Sequence, residues 1–395
     1  MRIDRFEMER TQCLYENLVE FNLSESGVQP LTMQELVAGD AQKLLSLLNL
    51  GLRYDESDGS PELRERIAAF YPGAAAENVL VSHGTSEANY TTFWGLLDRD
   101  GRAAVMLPNY LQTWGLARAF AQRADPFRLV AVKQGGRRRW ALDLDGLRRA
   151  VTSRTRLILI TNPNNPTGTI LTEEEINEVI RVARSVGAWI VADEVYRGAE
   201  VRSDQLTPTF WGRYNKVIVT AGLSKAFGLP GLRIGWIVAP KKMIAQLWSY
   251  QDYTTITPSI LSDRLARIAL EPEKRERIVA RTRDILARQL PQLEAWIHTH
   301  PDLFDYIPPQ AGAIVLLKYR LPITPSRLFE RLRLEHSVLI PTGPQFGMTK
   351  YIRVGYGYDI KHTLAGLERF DRLIDEFVRR KPARTSRPRL APAAV

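Results

Sequence analysis

A lysine and an arginine eight residues apart, Lys225 and Arg233, lie in the glycine-crowded stretch Leu223-Ser-Lys-Ala-Phe-Gly-Leu-Pro-Gly-Leu-Arg-Ile-Gly-Trp236. An ε-amine held among cationic neighbours and away from water loses its proton closer to neutrality, and the free amine is a nucleophile toward an aldehyde. The Arg233 guanidinium offers a planar fork that grips phosphate oxygens, and glycines let backbone approach a ligand closely. Upstream, Val81-Ser-His-Gly-Thr-Ser-Glu-Ala88 reads as a strand, then a glycine, then hydroxyl residues opening a helix. That order aims backbone N–H groups and the positive end of a helix dipole at an anion, with Thr85 and Ser86 placed to help hold a phosphate. Trp189-Ile-Val-Ala-Asp-Glu-Val-Tyr196 puts Asp193 at a strand end with Tyr196 just beyond, and Thr161-Asn-Pro-Asn-Asn-Pro-Thr-Gly168 follows another strand. Its prolines and glycine stiffen a turn that presents Asn165 at the carboxyl edge of a sheet. Singly, each piece has a plain structural reading: a surface lysine, a carboxylate capping a turn, a helix cap at Ser86, an Asn-Pro turn. Arriving in this order along one chain, they favour a common site.

These segments resemble the fold-type I pyridoxal-phosphate (PLP) enzymes, specifically the aspartate-aminotransferase-like family of class I and II aminotransferases, from about Tyr54 to Arg353. The resemblance implies PLP as cofactor, carried as a Schiff base on Lys225, with Arg233 on its phosphate. It implies that Asp193 faces the pyridine nitrogen, where a carboxylate keeps the ring protonated and able to accept electrons from a breaking Cα bond. Tyr196 and Asn165 match the residues that contact the cofactor's phenolic oxygen. Tyr110, in Leu107-Pro-Asn-Tyr110, matches the aromatic that stacks on the ring, with a core aromatic as its plain alternative. Tyr54 matches a tyrosine that reaches the phosphate of a neighbouring subunit, which implies a homodimer with shared sites. Arg353, in Tyr351-Ile-Arg-Val-Gly355, matches the arginine that clamps the substrate α-carboxylate through two parallel bonds. One position departs from the pattern: three residues before Lys225, where the family often carries a phosphate-binding serine, stands Gly222, leaving Ser224 as the compensating hydroxyl.

The activity so implied is ping-pong transamination between an L-amino acid and a 2-oxo acid, with Lys225 moving the proton. The same early steps also serve elimination, cyclisation or oxidation. The loop Ser24-Glu-Ser-Gly27 lies where the family covers its substrate, so Glu25 and Gly27 are expected to contact it. This loop is similar to that of capreomycidine-synthase-like members, which cyclise hydroxylated arginine. Glu25 there would bind a guanidinium or ammonium side chain, against the alternative of a solvated loop carboxylate.

The elements that must position these residues are legible as well. From Asn78 to Thr220 short β-branched runs alternate with amphipathic segments, the pattern of strands joined by crossover helices in a parallel sheet; the resemblance implies a mostly parallel α/β sheet of the seven-stranded type sandwiched by helices. The spacing predicts strands at Val79–Ser82, Ala103–Leu107, Leu157–Thr161, Trp189–Ala192 and Lys216–Thr220, and a helix opened by the capping pair Thr172 and Glu175. Beyond Pro272 a long charged helix to His298, a strand at Ala313–Lys318, a helix near Ser326–Glu335, short strands near Val338 and Ile352 and a last helix from Thr363 to Val378 describe a smaller α+β domain. The expected division is therefore an N-terminal helix and loop in 1–40, a large PLP-binding domain in 41–272, a small domain in 273–378 and a disordered basic tail in 379–395.

Composition narrows the field. With 45% hydrophobic and 25% charged residues the chain of 395 residues is ordinarily globular. A charged N-terminus and the lack of a long apolar run predict a cytoplasmic protein with no membrane span. The formal charge of +10 owes six positives to the C-terminal run from Arg379 to Arg389, and falls to about +4 without them. Nucleic acid is therefore not the expected partner, and no helix-turn-helix-sized segment precedes the enzyme-like region. The single cysteine, Cys13, excludes a multi-cysteine metal site, and the five histidines form no paired helical ligand motif, so no metal is expected.

Overall fold

The computed structural model describes residues 3–37 and 40–379. In chain order the strands are β1 (Phe21–Asn22), β2 (Val79–Ser82), β3 (Arg102–Leu107), β4 (Arg123–Gln134), β5 (Arg137–Leu142), β6 (Thr155–Thr161) and β7 (Trp189–Asp193). They continue with β8 (Val217–Gly222), β9 (Gly235–Val238), β10 (Phe304–Tyr306), β11 (Ile314–Tyr319), β12 (Val338–Leu339) and β13 (Tyr351–Gly355). Eight of them form one sheet in the order β2-β9-β8-β7-β6-β3-β4-β5, and β10-β11-β13 form a second.

Strands β4, β3, β6, β7 and β8 pair in parallel, while β9 runs antiparallel to both β8 and β2. A mostly parallel sheet must be covered on both faces, and the chain does this by splitting alternate residues between two cores. On β6, Ile158 and Ile160 enter one apolar cluster and Leu157 and Leu159 the other; on β2, Val79 and Val81 oppose Leu80. Each such fully buried aliphatic side chain contributes about 1.5–3 kcal/mol. The helix Glu173–Val186 on one face begins as predicted, with Thr172 Oγ1 accepting from Glu175 N–H at 3.2 Å and Glu175 returning to Thr172 N–H at 2.8 Å.

The sheet is wider than the seven-stranded expectation. Strand β4 pairs with β3 along its first half and, past that edge, with the antiparallel β5 across Gly135 and Gly136, both at positive φ. Such a two-glycine turn matches the twist of a hairpin. Smaller differences are β8, which runs on to Gly222, and the last helix, which spans Ile360–Arg379. All strands of the large sheet fall between residues 79 and 238 and all those of the second between 304 and 355, with the 27-residue helix Pro272–His298 between them in the chain. Strand β1 pairs in parallel with β12, which fastens the N-terminal segment beside the second sheet. The basic run after Arg379 lies outside the described residues, of which no helix is long and apolar enough to cross a membrane.

Candidate active site

The topology explains why residues far apart in sequence meet. In a parallel sheet the turns after the strands gather at one edge, which is where ligands bind. Here β2 is followed by Thr85, β6 by Asn165, β7 ends on Asp193 and β8 is followed by Lys225. Because β9 returns antiparallel from β8 with Gly222 opposite Gly235, the residues just before it, Arg233 included, sit at the same edge. A cavity of about 300 Å³ opens there, and its walls include Glu25, Thr85, Ser86, Tyr110, Asn165, Asp193, Tyr196, Ser224, Lys225 and Arg233. A larger cavity of about 790 Å³, between Phe70 and the helix Pro272–His298, shares only Val195 with it and contains none of the expected site residues.

Asp193 is 5% exposed. Its Oδ1 accepts from Val195 N–H at 3.1 Å and its Oδ2 from Asn89 Nδ2 at 3.2 Å. Burial nonetheless pushes its carboxyl up to about 6, because two donors do not replace bulk water around a charge. Lys225 Nζ donates to Ser26 Oγ at 2.9 Å, and Tyr196 Oη donates to the Ser26 carbonyl at 3.1 Å. Ser26, in the loop after β1, thus tethers two expected site residues at once.

At the expected phosphate end, the helix Thr85–Leu96 begins after Gly84 at φ 81°, a backbone angle that favours glycine. A side chain at Gly84 would strike the Arg233 guanidinium, so its absence is what lets the arginine lie against the turn. The departure at Gly222 acquires a physical reason: a Cβ there would come within 2.6 Å of Thr85 Oγ1 and 2.9 Å of the Ile234 carbonyl. A serine there would force Thr85 or the backbone at Ile234 to shift, and the Thr85 hydroxyl holds the space. That hydroxyl is buried without a hydrogen-bond partner among the described residues. A phosphate would satisfy it, beside a helix N-terminus and an arginine, so the residues present fit the cofactor.

Arg353, Gly27 and Tyr54 lie outside the cavity wall. Arg353 is fully buried behind Asn165, donating to Asn165 Oδ1 at 3.2 Å and to the Ser24 carbonyl, and burial lowers its pKa. Gly27 packs against the Ser224 carbonyl and the Lys225 stem. Tyr54 is 82% exposed.

Sequence reasoning missed one part of the cavity wall. Glu9, Gln12, Cys13 and Glu16 project into the cavity from the N-terminal helix Glu7–Tyr15 and its C-cap. Their spacing of three, four and seven residues is that of a single helix face, a signal present in the sequence. Tyr110 Oη donates to Glu9 at 2.7 Å; burial, then Glu9, raises the phenol's pKa well above its usual value. Burial and the charges of Glu25 and Glu9 raise that of Glu16.

The family model described as aminotransferase class I and II matches residues 28–370. Capreomycidine synthase of Streptomyces vinaceus is 30% identical over 337 residues, covering 85% of each chain. An aspartate aminotransferase of Streptomyces avermitilis is 27% identical over 340 residues, covering 82% of each. Among solved structures, a PLP-dependent aminotransferase from Streptococcus suis superposes with a TM-score of 0.86 at 29% identity, covering 95% of this chain and 99% of that one.

Proposed function

The chain belongs to the class I and II aminotransferases, enzymes that use pyridoxal 5′-phosphate, and from that premise we propose that it exchanges amino groups between an L-amino acid and a 2-oxo acid by a ping-pong cycle. The bound cofactor supplies the aldehyde that takes the amine and the ring that draws electrons from Cα. The chain supplies the rest. Lys225 would hold the cofactor through its aldehyde carbon, and its amine, once freed, would serve as the base that moves the Cα proton. Asp193 keeps the pyridine nitrogen protonated, Tyr196 and Asn165 hold the phenolic oxygen, and Tyr110 covers the ring. Thr85, Ser86, Ser224 and Arg233 hold the phosphate, and Arg353 and Gly27 take the substrate carboxylate, the arginine by moving off Asn165. The observation that carries this reading is the placement of Lys225 and Asp193 at the ends of the neighbouring strands β8 and β7, facing one cavity.

Single-turnover mixing tests it. Cofactor-loaded protein is mixed with one L-amino acid at a time, and the visible imine band is expected to bleach with stoichiometric release of the 2-oxo acid. No bleaching across the proteinogenic set, with cofactor bound, would refute transamination.

A second copy of the chain completes this reading. Tyr54 lies at the surface together with Leu44, Leu45, Leu48 and Leu52, all exposed, and the helix Ala41–Leu48 buries no residue in the single chain. Tyr54 would then reach the partner's phosphate. Mixing inactive Lys225→Ala with Tyr54→Phe chains is expected to give hybrid dimers with one wholly intact site, and sedimentation of the wild type checks the dimer itself.

One observation favours a second reading, elimination or cyclisation of a cationic, arginine-derived amino acid. Three carboxylates, Glu9, Glu16 and Glu25, line the cavity together, and a guanidinium is the natural counter-ion for such a wall. Capreomycidine synthase, the relative named above, bears a name consistent with that chemistry. Turnover of hydroxylated arginine without any 2-oxo acid would favour it over transamination.

A further inference from the structure

Asp193 is held by side chains that none of the motifs contains. Asn89, 1% exposed, rides on the helix Thr85–Leu96 and donates through Nδ2 to Asp193 Oδ2 at 3.2 Å. The same nitrogen reaches Gln112 Oε1 at 3.4 Å, and Asn89 Oδ1 accepts from the Thr220 hydroxyl at 2.8 Å. Gln112 Nε2 in turn donates to the Ser86 carbonyl at 3.0 Å. Thr220 is fully buried on β8, beside the strand that carries Asp193.

Each member fixes the orientation of the next. The nitrogen of Gln112 is committed to a carbonyl that can only accept, so Gln112 offers Asn89 its oxygen. Asn89 must answer with its nitrogen, which leaves Oδ1 for the Thr220 hydroxyl. Turning the Asn89 amide over would set Oδ1 against Gln112 Oε1 and Asp193 Oδ2 together, three acceptors with no proton between them. A donor fixed against a carboxylate favours its charged form, whereas an acceptor in that place favours the protonated acid. Both Asp193 oxygens therefore meet donors only.

We propose that Thr220, Asn89 and Gln112 form a positioning chain that holds Asp193 as an ionised acceptor for the protonated ring nitrogen of the cofactor and links it to the phosphate-binding turn at Ser86. Asn89 is a positioning residue in this scheme, since it acts through Asp193. The inference rests on the role proposed above for Asp193, and the test is chosen to separate the two.

Dissociation constants are measured by fluorescence titration of cofactor-free protein with pyridoxal phosphate and with its 1-deaza analogue, in which a C–H replaces the ring nitrogen. In the wild type, pyridoxal phosphate binds more tightly. In Asn89→Leu its affinity is expected to fall about 10- to 100-fold, the worth of one hydrogen bond to a charged group, while the analogue changes less than about twofold. Thr220→Val, which removes the donor to Asn89 Oδ1 and so loosens the hold on the amide, falls part of the way, and Thr220→Ser restores the wild-type value. The analogue is the internal control for folding: an equal loss for both ligands in Asn89→Leu means that the residue is merely structural and overturns the proposal. So does an undiminished preference for pyridoxal phosphate in that variant. Equal binding of the two ligands by the wild type would instead remove the role of Asp193, and this inference with it.

Discussion

Replacing Asp193 with Asn separates what the carboxylate costs the fold from what it gives the chemistry. Burial raises its pKa from 3.8 to about 6, and at 1.36 kcal/mol per unit the ionised group costs the cofactor-free protein about 3 kcal/mol. The folded value is the higher one, so the native state binds this proton more tightly than the unfolded chain. The contribution to stability is therefore full below pH 3.8 and lost as pH rises through about 6; above that the whole penalty is carried. Asparagine has the same shape and cannot ionise. Its amide nitrogen must face either Val195 N–H or Asn89 Nδ2, which returns about 1–2 kcal/mol. The net expectation is a gain of about 1–2 kcal/mol at pH 8, a few degrees in Tm, shrinking toward zero near pH 5. Urea unfolding of the cofactor-free wild type and variant at the two pH values measures it. The same substitution should lower kcat/KM by about 100-fold, since a hydrogen bond between charged groups at the ring nitrogen is lost. A variant no more stable than wild type at pH 8 would refute the burial penalty, and one that keeps full turnover would refute the role of Asp193.

Three other variants probe separate parts of the account. Gly222→Ser forces a Cβ against Thr85 and the Ile234 carbonyl; it should cost about 1–3 kcal/mol in urea unfolding and weaken pyridoxal phosphate binding. Thr172→Ala removes the cap of the helix Glu173–Val186, and a loss of about 0.5–2 kcal/mol in stability with unchanged cofactor affinity is expected. Glu16→Gln combined with Glu25→Gln removes two charges from the cavity wall. If the substrate is cationic, its KM should rise about tenfold or more, while KM for an uncharged amino acid stays level.

The motifs were readable because catalysis at a sheet edge demands particular side chains at strand ends, and those strands are long apolar runs buried on both faces. Residues 157–160 of β6, 189–192 of β7 and 217–219 of β8 are unbroken apolar runs. Strands β4 and β5 escaped because they have a solvated face: Arg123 to Gln134 alternates buried Phe127 and Leu129 with exposed arginine and lysine, a period-two pattern diluted by charge. Strand β9 is four residues long and sits inside the glycine-rich segment, whose composition reads as a turn. The acidic wall was hidden differently. Glu9, Gln12, Cys13 and Glu16 share a helix face, but long-range contacts such as the pairing of β1 with β12 and the tethers from Tyr110 to Glu9 and from Gln345 to Thr11 bring that face over the cavity. Asn89 was silent for a related reason: its partners Asp193, Thr220 and Gln112 are 104, 131 and 23 residues away in sequence.

The most direct test of the central claim is chemical. Purified protein saturated with pyridoxal phosphate is reduced with borohydride, digested and sequenced by mass spectrometry. The account predicts one phosphopyridoxyl group, on the peptide containing Lys225, and none on that peptide in Lys225→Ala. A label distributed over surface lysines with Lys225 unmodified would contradict it.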